Sequence, residues 1–302
     1  MTAGMILAAG LGTRLRPLTD ELPKPLVWLG DRPLVAHAAS RLAAAGVAPL
    51  VVNTHHLAGA FAAEVAALGL VAVHEPAILG TAGGVANART ALGDGEIVLW
   101  NGDLAADLDV EAMLAAHAAS SALATLAVAP RAVGQGTVGL DARGAVVRLR
   151  GERFGDEVSG GDYLGAMVLG AELRAVLPSQ GCLVGDALLP ALRRGGLVRA
   201  SAYTKPWHDV GTIGAYLAAN LAWLAARGAD SFVGPGARVA AGVEIARSIV
   251  GAGANVEGEG ALERVIVWPG AHARAPLADA VVTPARVVAV PRETSSASAE
   301  RL

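Results

Sequence analysis

Hydrophobic positions keep one rhythm up to about Ala226 and another after it. In the first part, short apolar runs alternate with stretches whose apolar residues recur at helical spacing. The runs Met5–Ala9, Leu50–Asn53, Leu70–His74, Ile97–Trp100, Leu123–Val128 and Tyr163–Leu169 predict strands. The stretches Leu34–Ala45, Leu57–Leu68, Ala82–Ala91, Val110–Ala119, Asp186–Arg194 and Ile213–Arg227 predict helices. Strands alternating with helices predict an α/β domain, with a mainly parallel sheet covered by helices on both faces. Thr137–Leu149 breaks the alternation. Gly144 parts two short runs there, which predicts a hairpin inserted into the α/β domain.

After about Ala229 the spacing shortens. VGPGARVAAGVEIARSI from Val233, VGAGANVEGEGALERVI from Val250 and VWPGAHARAPLADAV from Val267 line up, and a partial fourth copy begins at Val282. The first two copies have 17 residues and the third has 15. Apolar residues return about every six positions, at Val233, Val239 and Ile245, then at Val250, Val256 and Leu262. One inward apolar residue per face, with small residues between, predicts a short parallel β-helix of three-faced coils. A domain boundary is therefore expected near Arg227–Asp230, giving domains over 1–228 and 229–290. The polar, Ser-rich tail over 291–302 is expected to be disordered.

Composition narrows the function classes. Of 302 residues, 53% are hydrophobic and 17% charged, ample for a core. A net charge of −3 and a pI of about 6.2 give no support to a nucleic-acid partner. Cys182 is the single cysteine, which excludes an internal disulfide and a cysteine-based metal cluster. That usage fits a reducing compartment, and a cytoplasmic location is expected. No apolar run reaches the roughly 20 residues of a membrane span, so no membrane partner is expected. The opening residues predict an early buried strand and not a signal peptide. Only two of the 24 basic side chains are lysine, Lys24 and Lys205. A lysine retained in so arginine-rich a chain can mark a place that needs a compact ammonium, although coding bias gives the same count.

The chemistry concentrates at Leu7-Ala-Ala-Gly-Leu-Gly-Thr-Arg-Leu-Arg-Pro17, which follows the first predicted strand at the edge where α/β proteins bind ligands. Gly10 and Gly12 let backbone amides approach phosphate oxygens. Arg14 can clamp phosphate with two hydrogen bonds. Leu15 stands where a dinucleotide fingerprint needs a third small residue, and the Gly-Lys-Ser/Thr of a Walker loop is absent. Lys24 follows in Leu22-Pro-Lys-Pro-Leu26, where two prolines hold the chain extended.

LAAGLGTRLRPLT followed by PKPL resembles the signature of the nucleotidyltransferases that make NDP-sugars, and the likeness extends from residue 5 to about 225. It implies a Rossmann-like nucleotidyltransferase domain with a mainly parallel mixed sheet. It also implies hexapeptide-like repeats in a short C-terminal left-handed parallel β-helix. Arg14 and Lys24 would bind the triphosphate, and Leu7, Ala8, Ala9, Gly10, Gly12 and Thr13 would line the nucleotide. Asp103, in Trp100-Asn-Gly-Asp103, and Asp209, in Trp207-His-Asp-Val-Gly211, match two carboxylates that hold Mg²⁺ in that family. Taken singly, each is an ordinary turn or cap residue. Gly80 and Thr81 match positions near the base and ribose, with Glu75 before them. Asn101 and Gly165 match positions beside the sugar phosphate.

One departure matters. Many relatives carry a Glu-Lys-Pro whose lysine holds the sugar phosphate, but here Arg148-Leu-Arg-Gly-Glu-Arg153 carries no lysine. Arg150, Arg153 or Lys205 is left for that work, with a solvated surface role the alternative for Lys205. His55-His56 fits a polar loop better than a ligand pair, and His208 fits packing.

The resemblance implies transfer of a nucleotidyl group from an NTP to a sugar 1-phosphate, leaving pyrophosphate. GTP with mannose 1-phosphate, giving GDP-mannose for cell-envelope polysaccharide, is the favoured pair. Uridylyl or thymidylyl transfer to MurNAc 1-phosphate or glucose 1-phosphate is the alternative. A hexapeptide acyltransferase and a non-catalytic nucleotide-sugar sensor compete from other classes. The repeats are expected to serve stability or homo-oligomer assembly.

Overall fold

The computed structural model describes residues 2–291, so residues 292–302 of the expected tail lie outside the described residues. Two compact units are present. One comprises residues 2–11 and Val35–Trp207, the other Gly12–Leu34 and residues 208–291.

The first unit is built on a ten-stranded mixed sheet. The strand Ala3–Leu7 lies between Ile97–Asn101 and Leu50–Thr54, parallel to both, and Val71–His74 continues the parallel set outward. Three of these four strands are buried along nearly their whole length, which is why they read as unbroken apolar runs. On the other side Ser159–Leu169 runs antiparallel to Ile97–Asn101, Ala124–Arg131 and Val138–Leu140. Val198–Ala202 adds parallel to Ala124–Arg131. The predicted hairpin is Val138–Leu140 paired with Val146–Leu149, turning near Gly144 at φ 76°.

Several boundaries move. The first strand is Ala3–Leu7 and not Met5–Ala9, because the amide of Ala8 leaves the ladder to donate to Asn53 Oδ1. The stretch Leu57–Leu68 becomes a tight turn, Ala58–Phe61, and a helix, Ala62–Leu68, after Leu57 takes a left-handed φ of 49°. Ala82–Ala91 divides into Gly80–Asn87 and Arg89–Leu92 at Ala88. Asp186–Arg194 divides into a wide turn, Leu183–Leu188, and a helix, Leu189–Arg193.

In the second unit the helix Ile213–Ala225 starts at Thr212, whose hydroxyl accepts from the Ala215 amide at 3.2 Å. Its inner face holds Tyr216, Asn220 and Trp223. Gly30 packs on it at φ 65°; a Cβ there would meet the Trp223 ring at 2.0 Å.

The strands beyond it pair in parallel with their own sequence repeat. Phe232 faces Ile249, Arg238 faces Asn255 and Asn255 faces His272, each 17 residues on. Past Gly258 the register changes, and Leu262 faces Leu277, 15 residues on. Of the recurring apolar positions, Val250, Val256 and Leu262 of the second copy are buried, whereas in the first copy Val239 and Ile245 are half-buried and Val233 is exposed. Arg247, Arg264 and Asp279 stand at corresponding corners, all with positive φ, and Arg264 pairs with Asp279. The partial fourth copy from Val282 does not form another parallel layer. Thr283 accepts the amides of Ala285 and Arg286 on its hydroxyl, and Val287–Ala289 turns back antiparallel to Ala280–Val282. Among the described residues, no helix is long and apolar enough to cross a membrane.

Candidate functional site

In the first unit, expected site residues gather at the carboxyl ends of the parallel strands. Leu7 ends the central strand, and its carbonyl accepts from Gly102 N at 2.9 Å. Ala8 and Ala9 are buried just beyond it, and Gly10 is exposed. Nothing lies within 4 Å of a Cβ placed on Gly10, so packing alone does not demand glycine there.

A buried polar relay sets this backbone. Asn53 Oδ1 accepts from Ala8 N at 2.7 Å, and Asn53 Nδ2 donates to Glu75 Oε1 at 2.7 Å. Glu75 Oε2 then accepts from Leu79 N at 3.1 Å, at the start of the helix Gly80–Asn87. Asn53 is 3% exposed and Glu75 1%. A carboxylate at a helix N-terminus is favoured by the backbone dipole. Gly84 makes room for the relay; its Cβ would meet Glu75 Oε1 at 2.7 Å and Asn53 Nδ2 at 2.9 Å. Glu75, expected among the nucleotide contacts, thus turns both carboxylate oxygens to the protein's own donors. Asn53 was not singled out from sequence. The signal was there, since Leu50-Val-Val-Asn53 closes an apolar strand on an amide as Ile97–Asn101 does.

Thr81 also works inward: its hydroxyl accepts from Leu183 N at 2.8 Å. Gly80 has φ 75°, and a Cβ would sit 2.4 Å from Gly181 O. Asn101 ends its strand against Gly165, where φ is 93° and a Cβ would fall 2.5 Å from Asn101 Nδ2. The register of Ser159–Leu169 slips across this point, so a bulge turns the strand beside Asn101. Asp103 follows in a turn that Trp100 steadies by donating Nε1–H to Leu104 O at 3.1 Å.

The three candidates for the sugar-phosphate cation differ in their partners. Lys205 donates to Asp107 Oδ2 at 2.9 Å, and Arg41 pairs with the same carboxylate. Arg153 is 66% exposed and 3.9 Å from Glu157. Arg150 takes a left-handed φ of 48° and reaches Cys182 Sγ at 3.2 Å.

In the second unit, Arg14, Lys24 and Asp209 converge. Lys24 Nζ lies 3.7 Å from Asp209 Oδ1, with side chains 12% and 51% exposed. A Cβ on Gly211 would be 3.2 Å from both Arg14 Nη1 and Asp209 Oδ1, so a side chain there would crowd both groups. Gly12 turns the chain at φ 63°; a Cβ there would press on Thr19 at 2.8 Å and on Lys24 Cβ at 3.3 Å. Thr19 secures this turn by donating Oγ1–H to Gly12 O at 2.9 Å. Thr13 opens the short turn Thr13–Leu15 that carries Arg14, exposed, over the buried Leu15. Among the described residues, no group of three or more His, Cys, Asp or Glu side chains forms a metal cage.

A family model, described as Nucleotidyl transferase, matches residues 3–225. A mannose-1-phosphate guanylyltransferase of Mycobacterium tuberculosis is 37% identical over 139 residues, 43% of this chain and 39% of that protein. An N-acetylmuramate alpha-1-phosphate uridylyltransferase of Caulobacter vibrioides is 40% identical over 107 residues, 33% of this chain and 44% of that protein. The same enzyme of Neisseria meningitidis is 39% identical over 114 residues, 36% of this chain and 49% of that protein. The matches thus span less than half the length of these relatives. The crystal structure of HddC from Yersinia pseudotuberculosis superposes with a TM-score of 0.61 at 20% identity, over 74% of this chain and all of that one. At that identity the likeness is one of fold.

Proposed function

The chain belongs to the nucleotidyl transferase family, and from that premise we propose that it moves a nucleotidyl group from an NTP to a sugar 1-phosphate, releasing pyrophosphate. The convergence of Arg14, Lys24 and Asp209 about Gly211 carries this reading. Two cations held near one carboxylate, under a glycine-turned loop, suit a triphosphate.

The acceptor needs no general base, since a phosphate monoester with a second pKa of about 6 is already largely dianionic near neutral pH. The difficulty is that an anion must attack an anion in line, so position and positive charge govern the rate. Arg14 and Lys24 stabilise the departing pyrophosphate. The Ala8–Gly10 backbone, held through Asn53, and the helix start at Gly80 and Thr81 receive the nucleotide. Asn101, set against Gly165, faces the sugar phosphate, with Arg153 or Arg150 as its cation. Lys205 is the weaker candidate because Asp107 holds its ammonium.

Asp103 and Asp209 are the proposed Mg²⁺ ligands. Carboxylates that leave most positions to water and phosphate oxygens suit this ion better than a closed protein cage. When bound, the ion would stabilise charge at the α-phosphate.

GTP and mannose 1-phosphate are the favoured substrates, supported by the guanylyltransferase names among the relatives. The uridylyltransferase relatives favour UTP and MurNAc 1-phosphate. Either nucleotide sugar would serve cell-envelope polysaccharide from the cytoplasm. The parallel layers after residue 229 suit a short left-handed β-helix.

Pyrophosphate release from four NTPs against a panel of sugar 1-phosphates tests the reaction and its substrates. Lys24→Ala and Asp103→Asn are each expected to lower kcat about 10²-fold or more while leaving the unfolding midpoint nearly unchanged. Wild-type turnover in either variant removes that residue from the site.

A further inference from the structure

Lys24 lies in a segment held at both ends, on one side by residues beyond the family match and on the other by the helix Ile213–Ala225. On the amino side, Thr283 donates its hydroxyl to Glu21 Oε1 at 2.7 Å, and Arg286 Nε pairs with the same oxygen at 3.2 Å. On the carboxyl side, the carbonyl of Trp28 accepts from Tyr216 Oη at 2.6 Å and from Asn220 Nδ2 at 3.3 Å. Tyr216 Oη accepts in turn from Trp268 Nε1 at 2.9 Å. Thr283, Tyr216 and Trp268 are each at most 2% exposed, so water does not compete for these bonds.

Between the two holds the chain has little freedom. Pro23 and Pro25 fix their own φ. The turn Lys24–Leu26 is closed by Leu26 N donating to Pro23 O at 2.8 Å and Val27 N to Lys24 O at 3.2 Å. Where the ammonium points therefore depends on where Glu21 and Trp28 are pinned. Thr283, which makes one hold, and Trp268, which braces the Tyr216 that makes the other, belong to the repeat region, which the proposed chemistry does not otherwise use.

We propose that the C-terminal strands act as a positioning clamp on Lys24. Thr283, Arg286 and Trp268 are positioning residues: they touch no substrate and fix the place of a group that does. The proposal rests on the reading of Lys24 as a triphosphate ligand. In that reading the ammonium must meet developing charge on the leaving pyrophosphate, so a displaced lysine weakens transition-state binding more than acceptor binding. The repeats then serve the reaction directly, through two hydrogen-bonded anchors.

The test uses the full chain with Thr283→Val, Glu21→Gln and Trp268→Phe, each close in shape to the original. Glu257→Gln, on an exposed stretch of the same strands, is the control. Steady-state pyrophosphate release and amide hydrogen exchange over residues 22–29 are measured for each. The clamp predicts kcat lower by about tenfold in Thr283→Val and Trp268→Phe, as expected when a catalytic group loses its set position. It also predicts an unchanged KM for the sugar phosphate and faster exchange at Lys24–Trp28. The control should match wild type in both readouts. Thr283→Val and Glu21→Gln combined should lose little more kcat than Thr283→Val alone, because both act on the same Thr283–Glu21 contact. The clamp is overturned if Lys24→Ala abolishes turnover while Thr283→Val and Trp268→Phe keep kcat within twofold of wild type. It is equally overturned if kcat falls with no change in exchange over residues 22–29. Full turnover in Lys24→Ala sinks instead the reading on which the clamp rests.

Discussion

Replacing Asn53 with alanine probes the relay that joins two parts of the proposed nucleotide site. The wild-type side chain is 3% exposed and makes two hydrogen bonds of 2.7 Å, from Ala8 N and to Glu75 Oε1. Alanine cannot replace either. The Ala8 amide is left in a residue only 4% exposed, without its acceptor. Stranding such a donor costs about 1–3 kcal/mol. The Glu75 carboxylate, buried more deeply still, keeps only the Leu79 amide among the relay bonds. Loss of a donor to a charged group costs about 1.5–3 kcal/mol. Together these predict a loss of about 3–5 kcal/mol, a large share of the roughly 5–15 kcal/mol by which domains are stable. Urea unfolding at neutral pH measures it as a lower midpoint with an unchanged m-value. The same substitution loosens both Ala8–Gly10 and the helix start at Gly80, so KM for the NTP should rise more than KM for the sugar phosphate. A loss under about 1 kcal/mol would refute the relay, since it would mean that neither group depends on Asn53.

Two further outcomes follow from other parts of the first unit. Arg148 above all, then the Gly134 amide, holds the Glu157 carboxyl at about 2, down from an ordinary 4.5. A depressed folded value means this carboxylate stabilises the fold fully above the ordinary value and stops doing so as pH falls toward 2. The difference in melting temperature between wild type and Glu157→Gln should therefore be widest near neutral pH and shrink from about pH 4.5 downward; a difference independent of pH refutes it. Gly165→Ala places a side chain at φ 93°, with its Cβ 2.5 Å from Asn101 Nδ2. It should cost about 1–3 kcal/mol and raise KM for the sugar phosphate, whereas an unchanged KM would separate Asn101 from that substrate.

Much of the α/β architecture was legible because its signals are local. Strands buried on both faces must be apolar throughout, and Ala3–Leu7, Leu50–Thr54 and Ile97–Asn101 read that way within a residue or two. Gly144 marks its hairpin because the turn needs φ 76°. The repeat lengths of 17 and then 15 appear directly as strand registers, Asn255 to His272 and Leu262 to Leu277. What stayed hidden depends on partners far away in sequence. Asn53 gains its meaning only when Ala8, 45 positions earlier, donates to it. Gly211 stands in a quoted motif, but its closeness to the Arg14 guanidinium is something no local pattern supplies. The repeat ends at Thr283, whose hydroxyl accepts two amides in a turn that only the folded chain reveals.

The two lysines show how far composition can carry a functional inference. Scarcity treats them alike, and each precedes a proline, although only Lys24 also follows one. Their surroundings separate them fully. The Lys205 side chain is 59% exposed, and its ammonium sits 2.9 Å from Asp107, a pair of the solvated kind that adds little to stability. The Lys24 side chain is 12% exposed, and its Nζ lies 3.7 Å from Asp209 Oδ1. Keeping an ammonium largely out of water is costly unless nearby charge offsets the lost hydration. The anchors at Glu21 and Trp28 fix its place, and in the proposed reaction the triphosphate supplies negative charge for it to meet. Scarcity alone therefore nominates a lysine, and restricted freedom beside a second cation selects between nominees.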